Sequence, residues 1–71
     1  LMKYAVVIEK ADGNYSAYVP DLPGCVSTGG TVQEVEDRIR EAMQFHLDGL
    51  RADGRPVPVP SSRVDYVDVA A

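Results

Sequence analysis

Cys25 and His46 could together form a thiolate–imidazole pair, the minimum machinery of nucleophilic catalysis. Their settings argue otherwise. Cys25 opens a short β-branched stretch, where an unpaired cysteine is a small buried hydrophobe with an inert thiol. His46 falls within an apolar helical stripe, which reads as a core-facing histidine with one nitrogen bonded to backbone or water. One cysteine closes no intrachain disulfide, and one histidine beside it is a poor zinc set. Phosphodiester hydrolysis would need carboxylates converging on metal ions. Asp12, Asp21, Asp65 and Asp68 qualify by type alone, the first in a turn, the second in a proline-rich loop and the last two in a strand. Gly29-Gly30 lacks the further glycine and the lysine of phosphate-cradling loops, and reads as strand-exit and helix-start geometry. The sequence therefore assigns no catalytic residue, no metal ligand and no cofactor, and the expectation is a protein that is not an enzyme.

What remains is binding. Eleven acidic residues against seven basic ones give a formal charge of -4, which disfavours direct nucleic-acid binding and suits a basic partner better. Seventy-one residues allow one domain, expected over 2–71, with Leu1 preceding a native start at Met2. A chain of this length buries only about 60% of its unfolded surface, a thin margin that disulfides, metals or self-association usually widen. With the first two set aside, self-association as a homodimer or larger oligomer is expected. No apolar stretch approaches the roughly 20 residues needed to cross a bilayer, and the N-terminus has no secretory pattern. A cytoplasmic protein without membrane contact is the expectation.

The elements follow from periodicity. Residues 3–9 are β-branched and aromatic, too short for a helix, and are followed by the turn residues Asp12-Gly13-Asn14. In 15–19 the pattern alternates, with Tyr15, Ala17 and Val19 on one face and Ser16 and Tyr18 on the other, giving a second, antiparallel strand. Pro20 to Gly24 form a rigid loop, and 25–28 a short third strand. Thr31-Val32-Gln33-Glu34 has capping-box form, and Val32, Val35, Ile39, Ala42, Met43, His46, Leu47 and Leu50 recur at steps of three and four on one stripe. That helix should end near Arg51 or Ala52, before Gly54 and Pro56. Prolines 56, 58 and 60 make a stiff extended connector, and 64–69 reads as a final strand that a right-handed crossover lays parallel to the first.

The expected fold is α+β, a β-β-β-α-β chain in which a three-stranded antiparallel meander carries one helix on one face and a fourth strand parallel to the first. One helix leaves the other face of the sheet uncovered. Tyr4, Tyr18 and Tyr66 cannot all lie beneath it, so apolar surface and open strand edges should mark an association site. Phe45 lies well off the helical stripe, either as a rim residue against the loop before the last strand or as an exposed partner contact.

The run from Tyr18 through Asp21-Leu22-Pro23-Gly24-Cys25 to Gly29-Gly30-Thr31, followed by a helix containing His46-Leu47-Asp48-Gly49-Leu50, resembles the HicB family of antitoxins. The likeness covers nearly the whole chain. It implies a partial ribonuclease-H-like fold without the catalytic carboxylates, and a partner of HicA type, a small basic toxin with a double-stranded-RNA-binding-like fold that cleaves messenger RNA. Inhibition of that kind needs surface coverage and no reaction, and charge complementarity would favour the encounter. Family members usually carry an acidic residue where Gly30 stands, and many continue into a DNA-binding domain, whereas this sequence stops at Ala71. A solitary oligomeric HicB-like regulatory or structural protein is the alternative. Exposure and charge nominate Asp21, Leu22, Pro23, Glu34, Asp37 and Glu41 as contacts for a toxin, and Val64, Tyr66 and Val67 for self-association.

Overall fold

A computed structural model describes all 71 residues as three strands and one helix: β1 (Val7–Ala11), β2 (Asn14–Tyr18), β3 (Val26–Gly29) and α1 (Val32–Ala52). The strands form an antiparallel sheet in the order β1-β2-β3. β1 and β2 meet across Asp12-Gly13, with Ala11 opposite Asn14 and Gly13 at φ +80, a conformation that only glycine adopts cheaply. The first strand thus lies further along than the 3–9 expected. The reason is its neighbour: Val7 faces Tyr18, and beyond that pair β2 runs into Pro20, so residues 3–6 have no ladder to join.

Cross-strand partners share a face. The row Ile8, Ala17, Ser27 and the row Lys10, Tyr15, Gly29 look toward the helix, while Val7, Tyr18 and Val26 form a row on the open side. The core is made of Tyr4, Ala17, Val19, Leu22, Cys25, Val35, Ile39 and Leu47. Tyr4 is therefore buried, Tyr18 half-exposed on the open face and Tyr66 fully exposed, as the surplus of aromatics over helix-covered area requires.

Helix α1 begins where the sequence places it. The Thr31 hydroxyl accepts from the Glu34 amide at 3.1 Å, worth about 1 kcal/mol to a helix. The other half of the expected capping box is replaced, because the Glu34 carboxylate pairs with Arg38 at 2.6 Å, one turn on. At the C-terminal end Gly54 (φ +67) donates to the Arg51 carbonyl and Arg55 to that of Leu50, the Schellman closure. The helix settles on β3 and β2 and barely reaches β1.

The fourth strand expected over 64–69 is not present in the single chain. Residues 53–71 contain no strand. The connector is docked at two points: Val57 packs on the core and the Tyr4 hydroxyl donates to the Pro58 carbonyl. Every residue from 61 onward is exposed, so the strand-forming sequence has no neighbour for its backbone groups. The radius of gyration, 13.8 Å, exceeds the about 11 Å of a compact 71-residue domain. The difference is a projecting arm.

Candidate partner-binding surface

The proline-rich loop is built from the inside. Leu22 is wholly buried, its amide donating to the Val19 carbonyl and its own carbonyl accepting from the Cys25 amide, while Gly24 takes φ +84 to close the loop. Nominated as a contact, Leu22 instead gives its side chain to the core; Pro23 faces outward. Asp21 is occupied. Its carboxylate accepts from the amides of Ser61 and Ser62 at 2.8 and 2.9 Å and from their hydroxyls at 3.1 and 2.7 Å. Those bonds, the Ser62 amide foremost, lower its pKa from 3.8 to about 2.

The nominated helix acids are exposed to different degrees and two are paired. Glu34 holds Arg38, and Asp37 accepts from Gln33 at 3.1 Å and from Arg40 at 3.4 Å. Glu41 stands exposed. The helix as a whole interleaves five carboxylates with three arginines, a milder negative surface than its acids alone suggest.

A groove of about 410 Å³ opens between the C-terminal half of α1 and the start of β3. Phe45 and Val26, 75% and 64% exposed, line it together with Leu50, Asp53 and Arg55. Phe45 is thus an exposed residue that shares this groove with Val26 of β3 and with Asp53 and Arg55 of the segment after the helix. At about 100° per residue, Glu34 and Glu41 fall within about 40° of Phe45 around the helix. The acids and the aromatic therefore share one side.

Cys25 and His46 line this same groove. Cys25 is buried and burial raises its thiol pKa, so the uncharged thiol prevails at neutral pH and is no nucleophile. His46 is half-buried at the groove wall and not within the core. No three His, Cys, Asp or Glu side chains approach closely enough to hold a metal ion. The surface offers apolar contact flanked by charge, and it suits docking.

Residues 4–70 match the family described as HicB_like antitoxin of bacterial toxin-antitoxin system. The chain belongs to the HicB-like antitoxin family. Similar proteins include a 14.9 kDa protein of Haemophilus phage HP1, 36% identical over 67 residues that make up 94% of this chain and 50% of the relative. A UPF0150 protein of Synechocystis is 41% identical over 82% of this chain and 75% of its own length, and one of Thermoplasma acidophilum is 40% identical over 80% and 84%. The chain thus spans half the length of the phage relative and most of the two UPF0150 proteins. No helix of this HicB-like domain is long and apolar enough to cross a membrane.

Sequence reasoning missed Ser61 and Ser62, because a tie across forty residues leaves no periodic signal. It also missed Val26, whose exposure depends on the helix lying toward β2 and β3 on the opposite face.

Proposed function

We propose that this HicB-like domain acts in the cytoplasm as an antitoxin, binding a small basic HicA-type toxin and covering the surface with which that toxin holds messenger RNA. Membership of the antitoxin family over nearly the whole chain carries the reading. The surface it uses is the β3-side of α1, with Phe45 and Val26 as the apolar centre, Glu34 and Glu41 along the helix, and Pro23 and Asp37 at the rim. An aromatic anchor ringed by polar groups is the usual anatomy of a binding hot spot. Inhibition by coverage needs no catalytic group.

Mixing the domain with a HicA-type toxin from the same genome should give a stable complex by size exclusion with light scattering, and should stop RNA cleavage in step with stoichiometry. Phe45→Ser, at a side chain the fold does not need, should weaken that complex by roughly 30-fold, about 2 kcal/mol for a central aromatic contact. Unchanged affinity would remove this surface from the proposal. No complex at all would favour the second reading, a solitary oligomeric regulatory protein, which the unpartnered arm at 63–71 also supports.

A further inference from the structure

Residues 61–71 have no proline, so each carries a backbone donor, and 64–69 (Val-Asp-Tyr-Val-Asp-Val) is rich in strand formers. Yet Tyr66 is 98% exposed and Val67 and Val69 79% each. The arm is aimed away from its own domain, because Ser61 and Ser62 are tied to Asp21 in the β2–β3 loop by four hydrogen bonds and the prolines before them stiffen the approach.

The domain has one edge ready to receive such an arm. On β3 the Thr28 carbonyl accepts from the Arg38 guanidinium at 2.9 Å, and the helix-facing residues Ser27 and Gly29 offer no apolar side chain. On β1 the outer edge is free, and because α1 barely reaches it, Val6 and Ile8 are left half-buried beside Ile39 and Met43 in a groove of about 540 Å³. Lys3 and Arg40 line that groove together with Glu36, and the arm brings Asp65 and Asp68 with Arg63.

We infer that the arm, residues 64–69, adds as a strand to the free β1 edge of a second copy of this chain, with the second arm returning the exchange. One side of the arm then shelters Val6, Ile8 and Met43, and its backbone groups gain the ladder they lack. Reciprocal exchange closes the pair under two-fold symmetry and leaves no arm free to recruit further copies. The β3-side surface of Phe45 lies away from this edge and stays open.

Light scattering on the chain alone should give twice the 7.7 kDa chain mass. Tyr66→Lys combined with Val67→Lys charges both sides of the arm at exposed positions, and should give a folded species of half that mass with an unchanged helical circular dichroism signal. In a dimer mixed from labelled and unlabelled chains, contacts between 64–69 and Val6 or Ile8 should appear only between chains. A monomeric wild type, a dimer that survives the double substitution, or arm-to-β1 contacts within one chain would each overturn the exchange.

Discussion

Asp21 accepts hydrogen bonds from both amides and both hydroxyls of Ser61 and Ser62, so its charged form is favoured by the fold and its pKa falls from 3.8 to about 2. The direction fixes the pH dependence. A carboxylate depressed by folding contributes its stabilisation fully above its ordinary pKa and loses it as pH falls through the folded value, so the tie is intact at neutral pH and released near pH 2. In an NMR titration the Asp21 carboxyl and the Ser61 and Ser62 amides should share a midpoint near 2, and Asp21→Ala should speed exchange of both amides. A midpoint at 3.8 would mean that the serines do not hold the carboxylate. The sequence marks Asp21 as special through its place in the Asp-Leu-Pro-Gly-Cys run, and suggests a partner-facing role; what it meets is a segment forty residues on, which no local pattern encodes.

Between elements, the contact of α1 with β3 turns on Gly29. A Cβ there would lie 2.8 Å from the Val35 amide nitrogen and 3.2 Å from the Glu34 carbonyl carbon, both backbone atoms of the helix's first turns. Gly29→Ala should force the helix off the sheet and destabilise the domain by about 1–3 kcal/mol. Thermal unfolding should register this as a fall of about 4–8 °C per kcal/mol, and an unchanged Tm would show that the helix can shift freely. Elements like this one were legible wherever the signal is local: the Thr31 cap, the three-and-four spacing that buries Val35, Ile39 and Leu47, the alternation that buries Ala17 and Val19. Gly29 was legible only as a strand exit, because a close approach depends on what packs opposite. The strand expected over 64–69 fails for a related reason. Composition states that a segment can pair, and pairing itself needs an edge within reach.

For the whole molecule, the chain has eight core residues and a projecting arm, so the proposed exchange bears directly on its stability. If each domain completes the other's sheet, unfolding and dissociation are one event, and Tm must depend on protein concentration. A tenfold rise stabilises such a dimer by about 1.4 kcal/mol, shared between two protomers, and Tm should rise by about 3–5 °C for each decade. The doubly substituted arm variant should unfold at a lower temperature that does not move with concentration. Adding a toxin should then raise Tm in both proteins alike, because its proposed surface beside Phe45 lies apart from the β1 edge. A toxin-induced rise confined to the wild type would instead mean that the arm builds part of the toxin's binding surface.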